Sequence, residues 1–361
     1  MRTLLITLEY HPFKGGIANY YTNLVKYWPL TEKISVLDNF HRKLLSEADR
    51  FSWLRSVSVL LKQLKKPGFD YLLVGQILPL GTAAYFASLI KPFNYGVILH
   101  GLDFTSAIKS KRKQFLTGLI LKRAHKIICA NSKVAEIVKI FDSSLMDKIA
   151  IVNPGIEPII AKPDIDKIEN LRATYQLNGY FTLFTLGRLV LRKGVDSVIK
   201  ALNDMRGEDI KIKYFIAGLG REEKHLRSLA ASSSYKESIV FLGELSEHEK
   251  WLWLHACDAF IMPAREIGED FEGFGIVYLE ANLAGKPVIA GNSGGVKDAV
   301  EDGVNGFLVD PNNIAEIKDK VMMLKNNYQL SFDLGVKGRE RAITNFNWEK
   351  QAGYLCQIIK K

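Results

Sequence analysis

Cysteine is scarce in this chain. Cys129, Cys257 and Cys356 stand far apart among 361 residues, and no Cys-x-x-Cys pair exists. That argues against a zinc site or a disulfide framework and fits a reducing compartment. Long apolar runs are also missing. The nearest approach, Tyr71 to Ile90, carries no charge over twenty residues, a length that would suit a bilayer. Gly75, Gln76, Pro79, Gly81 and Thr82 interrupt it, so it reads as a buried strand at 71–75, a loop at 76–80 and a helix at 81–90. Thr3–Leu8 is apolar but short and ends at Glu9, so it reads as a first strand and no targeting segment is expected. Sequence repeats and low-complexity segments are absent.

Acidic residues are short in one half only. Residues 1–160 hold 22 Lys and Arg against 11 Asp and Glu, whereas residues 161–361 hold 27 against 28, so the net charge of +10 arises wholly in the first half. Such a surface suits an anionic partner: a phosphorylated substrate, an anionic lipid or nucleic acid. Nucleic acid finds no further support, because there is no helix-turn-helix, RNP-like or zinc pattern.

At 47% apolar and 24% charged residues the chain is globular, and its length suits two domains. Short β-branched or Leu-rich runs alternate with amphipathic stretches. In the first half the expected strands are Thr3–Leu8, Ile34–Leu37, Tyr71–Val74, Gly96–Leu99, Lys126–Cys129 and Ile149–Val152. In the second half they are Thr182–Leu186, Ile212–Ala217, Ile239–Leu242, Ala259–Met262, Pro287–Ala290 and Gly306–Val309. Helical patterns fall between them, as at Ala18–Tyr27, Asp196–Asn203, Glu222–Ala231 and Val277–Ala284. This alternation predicts an α/β protein of two doubly wound parallel sheets. The seam is expected near Glu157–Lys167, which carries Pro158 and Pro163. The tail Asn345–Ile359, with Phe346, Trp348, Tyr354, Leu355 and Ile358, predicts a last helix that docks on something. The domains are therefore expected at 1–160, 161–344 and 345–361.

Doubly wound sheets bind ligands at the carboxyl ends of their strands. Four strand-to-helix loops carry suitable residues. Gly15-Gly16 precedes a helix and would let an anion approach its free N–H groups; an ordinary tight loop is the alternative. Leu186–Gly194 holds Arg188 and Lys193, spaced so that both could close on a diphosphate. Phe215–Glu223 holds Gly218-Leu-Gly220, but Glu223 stands where a dinucleotide fingerprint needs its third glycine, so room for a nucleobase fits better than NAD. Glu272–Glu280 offers backbone N–H groups at Phe274-Gly275-Ile276 and two carboxylates suited to sugar or ribose hydroxyls. Glu280 lies in the apolar run IVYLEANLAG, where a carboxylate needs a partner.

Together these loops closely resemble those of retaining glycosyltransferases of family 4, which have the GT-B fold. The matching segments are GGIANY, LHGLD at Leu99–Asp103, GRLVLRKG at Gly187–Gly194, FIAGLG at Phe215–Gly220, EGFGIVYLEANLAGKPVIA at Glu272–Ala290 and SGGVKDAVEDGVNGFLV at Ser293–Val309. They run in order along most of the chain. The resemblance implies two facing Rossmann-like domains with a donor nucleotide between them, and a C-terminal helix that crosses back to the N-terminal domain. It implies that Gly16 approaches the donor diphosphate, that Arg188 and Lys193 hold it, that Glu272 contacts the donor sugar beside the backbone of Phe274, Gly275 and Ile276, that Glu280 accepts from the ribose, and that His100 lies near the reacting bond. Gly218 and Gly220 would border the nucleobase with Phe241–Gly243. Asp103 is a further candidate. In this reading the cations stabilise the departing diphosphate, so neither a metal nor a cofactor is required. Asp164-Ile-Asp166 reads as a solvated turn in the linker.

The extended loop PAREIGEDFEGFGIVYLEA resembles that of enzymes using GDP-mannose, with a UDP-sugar remaining open. The expected partners are the nucleotide sugar, a glycan or lipid-linked acceptor and an anionic membrane surface, in a cytoplasmic or peripheral membrane setting. The basic stretch Lys109–Lys126 and the amphipathic stretch from Phe51 to Lys66 motivate the membrane expectation, with Phe115, Leu116, Leu119 and Ile120 expected to face inward. A nucleotide-sugar epimerase of the same fold and a non-catalytic sugar-nucleotide or lipid-binding protein are the competing readings.

Overall fold

The computed structural model describes residues 1–13, 15–45, 53–65, 68–157, 163–205 and 211–361. The chain divides into two compact units, Met1–Gly155 with Phe346–Lys361, and Ile156–Asn345.

In the first unit six parallel strands lie in the order β2-β1-β3-β4-β5-β6. They are β1 (Arg2–Ile6), β2 (Lys33–Leu37), β3 (Tyr71–Val74), β4 (Tyr95–Leu99), β5 (Lys126–Cys129) and β6 (Ile149–Ile151). Tyr-Leu-Leu-Val of β3 and Tyr-Gly-Val-Ile-Leu of β4 are buried along their whole length, as parallel strands covered on both faces must be. The helices are α1 (Gly16–Lys26), α2 (Trp53–Gln63), α3 (Thr82–Ile90), α4 (Leu102–Ile108), α5 (Lys111–Arg123) and α6 (Ser132–Phe141). Between β3 and α3 the chain is irregular, with Leu78 extended at φ −127° and ψ 136° and Gly81 N donating to Gln76 O at 3.1 Å.

In the second unit the order is β12-β11-β10-β7-β8-β9, again all parallel. The strands are β7 (Phe181–Leu186), β8 (Ile212–Ala217), β9 (Ile239–Gly243), β10 (Ala259–Met262), β11 (Val288–Gly291) and β12 (Gly306–Val309). The helices are α7 (Ile165–Thr174), α8 (Val195–Asn203), α9 (Glu223–Ala231), α10 (Glu247–Ala256), α11 (Ile276–Leu283), α12 (Val296–Ala299), α13 (Ile314–Asn326) and α14 (Tyr328–Asn345). Residues 158–162 of the expected seam lie outside the described residues. Asp164, read above as part of a turn, is the N-cap of α7: its carboxylate accepts from Lys167 N and pairs with Lys167 Nζ at 3.0 Å.

The last helix, α15 (Trp348–Lys360), joins the first unit. Trp348, Ala352, Leu355, Cys356, Ile358 and Ile359 share a core with Tyr20, Tyr21 and Leu24 of α1. Tyr354, expected in that apolar face, is exposed. Trp348 lies so close over Gly155 that a Cβ there would stand 2.6 Å from its ring.

Candidate functional site

In the second unit the strand order reverses between β7 and β10, so the loops after these two strands flank a crevice. The loop after β7 ends in a short helical turn, Leu191–Lys193, and at Gly194 with φ of +71°. A Cβ on Gly194 would meet the Pro263 carbonyl oxygen at 2.0 Å, so only glycine lets the two loops touch.

The two loops exchange charge. Glu272 is buried, and its Oε2 receives Lys193 Nζ at 2.7 Å and also Arg192 Nη1. Arg192 Nε lies 3.0 Å from Asp270 Oδ1. Burial pushes the Glu272 carboxyl up, but Lys193 and Arg192 outweigh it and hold the group below its ordinary value. The insertion before Glu272 is a tight hairpin, with Ile267 N donating to Asp270 O at 2.9 Å and Asp270 N to Ile267 O at 3.1 Å. It delivers Asp270 to Arg192.

Arg188 is exposed and forms no ion pair among the described residues, whereas Lys193 is held on Glu272 with its stem over Gly187. The protein thus brings Lys193 and Glu272 together and leaves the Arg188 fork open. Glu280 belongs to a separate cluster. It pairs with Lys250 at 2.7 Å, which also holds Glu247 at 2.6 Å. Burial raises the Glu280 carboxyl despite Lys250.

Gly275 starts α11 with φ of +76°, and a Cβ there would lie 2.4 Å from the Tyr278 ring. Tyr278 O–H in turn donates to Met262 O at 2.7 Å. Phe274 is buried, Ile276 is exposed, and the first turn of α11 carries no acid that would fill its N-terminus. Gly218 and Gly220 serve backbone packing: their Cβ atoms would stand 2.0 Å from Gly187 O and 2.2 Å from Leu189 O. Asn282 and Asn305, within the motif segments, cross-bond at 2.7 Å in the core and are structural.

In the first unit the order reverses between β1 and β3. Gln76 ties the loop after β1 in place, accepting from Leu8 N at 3.0 Å and donating to Thr7 Oγ1 at 3.2 Å. Gly15 has φ of 168°, an extended conformation any residue adopts, and Gly16 is the first residue of α1. A Cβ on Gly16 would meet nothing within 4 Å. Neither conformation nor crowding asks for glycine at Gly16, and no acid lies in the first turn of α1, although Glu9 Oε2 would stand 3.7 Å from a Cβ on the neighbouring Gly15.

His100 ends β4. Its Nε2 lies 2.8 Å from Tyr21 Oη, and Tyr20 and Tyr21 pack edge-on against its ring. Burial lowers its pKa to about 4, so it is neutral at physiological pH. Asp103 Oδ1 accepts from His100 N at 3.0 Å and Gly101 N at 2.9 Å and so fixes the loop. Burial raises the Asp103 carboxyl, and Glu9 is raised by burial and by Asp103.

Sequence reasoning missed Arg192, Asp270, Lys250 and Tyr21. The one available signal was charge matching: Arg188, Arg192 and Lys193 in one loop against Glu266, Glu269, Asp270 and Glu272 in another. Nothing local points to Lys250 or Tyr21. Among the described residues no cluster of His, Cys, Asp and Glu is arranged to hold a metal ion, and no helix is long and apolar enough to cross a membrane.

Comparison with known proteins agrees with this layout. Residues 167–341 match the family described as "Glycosyl transferases group 1", so this segment is a domain of that family. Over 209 residues the chain is 34% identical to a GDP-mannose-dependent alpha-(1-6)-phosphatidylinositol monomannoside mannosyltransferase of Mycobacterium tuberculosis, covering 57% of this chain and 54% of that enzyme. The chain thus spans about half the length of that curated relative. An uncharacterized glycosyltransferase of Methanocaldococcus jannaschii is 26% identical over 364 residues, 97% of this chain and 95% of its own. Among solved structures, an Anabaena protein in complex with UDP superposes with a TM-score of 0.80 at 19% identity, with both chains covered fully. The fold is GT-B: two Rossmann-like domains, as the sequence predicts.

Proposed function

We propose that this protein is a retaining, metal-independent glycosyltransferase that moves a hexose, mannose in the favoured case, from a nucleotide-diphosphate sugar to a glycan or lipid-linked acceptor. The observation that carries this reading is the loop after β7. There Arg188 is exposed and in no ion pair among the described residues, and Lys193 is held on Glu272, three residues ahead of the Gly275 cap of α11. Breaking a glycosyl–phosphate bond builds negative charge on the leaving diphosphate. Arg188, Lys193 and backbone N–H groups can take up that charge without a divalent ion. Glu272 then serves the sugar hydroxyls and Glu280 the ribose. Gly16 admits the diphosphate to the start of α1, and His100 serves the sugar near the reacting bond. The leaving phosphate acts as base for an acceptor that attacks from the same face, so no enzymic nucleophile is assigned.

The GDP-mannose-dependent relative and the extended Glu266–Glu272 loop favour GDP-mannose, while the UDP-bound structural neighbour keeps a UDP-sugar as the competitor. Thermal-shift titration with GDP, UDP and ADP separates them. A saturating ligand at about 100 times its Kd should add about 2.7 kcal/mol of stability, and GDP is expected to give the largest shift. Mannose transfer with retention of the anomeric configuration completes the test. No shift with any nucleotide would overturn the reading, and conversion of the nucleotide sugar without an acceptor would favour an epimerase.

The acceptor is proposed to be membrane-borne, with the protein peripheral on the cytoplasmic face. Lys111, Arg112 and Lys113 open α5 and are exposed, next to Phe115, which is 71% exposed rather than turned inward as expected. Leu116 and Leu119 are half-buried and Ile120 is buried. Leu54 of α2 and Phe86, Leu89 and Ile90 of α3 are also exposed, and α3 packs on both α2 and α5. Phe51 and Lys66, part of the same expectation, lie outside the described residues. Clustered cations beside exposed apolar side chains suit an anionic bilayer surface.

A further inference from the structure

Tyr21 is fully buried on α1, and its hydroxyl bridges two groups. It donates to Gly75 O at 2.5 Å and lies 2.8 Å from His100 Nε2. A phenol has one proton and a carbonyl can only accept. That proton is therefore spent on Gly75, and the phenol oxygen must accept from His100 Nε2–H. The imidazole is thereby held in one tautomer, with the proton on Nε2 and the lone pair on Nδ1. Nδ1 makes no hydrogen bond among the described residues.

The frame around this bridge is rigid. Gly75 N donates to Ile6 O at 2.8 Å, which anchors the carbonyl at the end of β3. Tyr20 packs edge-on against His100 at 5.0 Å between centroids and against Trp348 of α15 at 5.4 Å. The ring plane of His100 is thus set by Tyr20 and Tyr21 of α1, with Trp348 of the returning helix packed behind Tyr20. Burial raises the Tyr21 phenol well above its ordinary value, so the bridging proton stays in place.

We propose that Tyr21 is a positioning residue that locks the tautomer of His100, so that Nδ1 meets the sugar donor as a hydrogen-bond acceptor and not as a donor. This rests on the reading that His100 faces the donor. A neutral acceptor at that point suits a sugar hydroxyl, whereas the opposite tautomer would present an N–H to it.

Nitrogen-15 NMR of labelled histidine in the whole protein reads the tautomer without any activity assay. The expected spectrum shows His100 with a protonated Nε2 and a pyridine-like Nδ1. Tyr21→Phe keeps the ring and removes the bridge, so it should give a mixture of tautomers. It should also lower kcat by about tenfold, the size of one lost neutral hydrogen bond, with KM for the donor changing less. His100→Asn places an amide oxygen near the Nδ1 position and should retain more activity than His100→Gln. Tyr21→Phe added to His100→Asn should cost little more, because the shorter amide does not reach the phenol. Two outcomes overturn the proposal: a protonated Nδ1 in the wild type, or an unchanged tautomer in Tyr21→Phe. If the tautomer is as stated but His100→Gln and His100→Asn are fully active, then it is the placement of the donor at His100 that fails.

Discussion

Lys193 Nζ stands 2.7 Å from Glu272 Oε2, and the neighbouring Arg192 reaches the same oxygen. Removing the carboxylate leaves two cations at a buried position, of which Arg192 keeps Asp270 at 3.0 Å. Glu272→Gln should therefore lower unfolding stability by about 3 kcal/mol, since breaking a buried pair strands the other charge. The Glu272 pKa is depressed in the folded state, so its contribution is present above the ordinary carboxylate range and lost as pH falls through the folded value. Urea unfolding of wild type and variant checks this, and a loss well under 1 kcal/mol would contradict the cluster's weight.

Gly16 and Gly218 lack a side chain for different reasons, and one substitution separates them. Gly16→Ala meets open space at the start of a helix and should change stability by no more than about 0.5 kcal/mol. It should nevertheless weaken nucleotide-sugar binding. Gly218→Ala drives a Cβ toward Gly187 O at φ of +124° and should cost about 2 kcal/mol or more. Paired thermal unfolding and nucleotide titration read both effects; equal destabilisation by the two would refute the distinction.

Metal independence and the diphosphate clamp are tested together. Transfer should survive excess EDTA. A charge-assisted hydrogen bond to a group gaining charge is worth about 2–3 kcal/mol, so Arg188→Ala and Lys193→Ala should each slow transfer by about 30–150-fold. Glu280→Ala should act on donor affinity, because the ribose does not change charge in the reaction. Loss of activity in EDTA that magnesium or manganese restores would overturn this mechanism.

Burial, with Lys286 and Arg339 nearby, lowers His255 to about 4. Its ordinary value is about 6.5, so the unfolded chain takes up this proton first on acidification. Stability is therefore present above about pH 6.5 and is lost as pH falls toward 4. Raised carboxyls such as Glu280 pull the opposite way. The effect is read as a difference: His255→Gln should lose less stability than wild type between those pH values. Parallel pH profiles would show that His255 does not contribute.

Liposome co-sedimentation tests the membrane surface. Each Lys or Arg near an anionic surface contributes roughly 1 kcal/mol. Binding to phosphatidylglycerol vesicles should appear at low salt, weaken at high salt and vanish on neutral vesicles. It should also drop when Lys111, Arg112 and Lys113 are all changed to Glu. Absent binding, or indifference to that change, would favour a soluble acceptor.

All twelve strands were legible in the sequence: central strands such as β3 and β4 are short, continuous apolar runs because they are buried on both faces, and the partly covered edge strands β2, β6 and β9 still carry Ile and Val runs. The resemblance in the loops was legible too, since glycine and charge keep a fixed spacing within one strand-to-helix connection. The partners of those charges were not. Arg192 meets Glu272 because the strand order places the loops after β7 and β10 side by side, and Lys250 meets Glu280 because α10 packs on α11. The same holds for the glycines. Gly16 and Gly218 look alike in a motif, and only packing shows that one faces open space and the other a carbonyl. The proton of His100 is the furthest from sequence. It depends on Tyr21, Gly75 and His100 converging within hydrogen-bond distance, and on a phenol having a single proton to give. Local patterns encode which elements form, whereas ion pairs and tautomers depend on distances between residues that only the folded chain brings together.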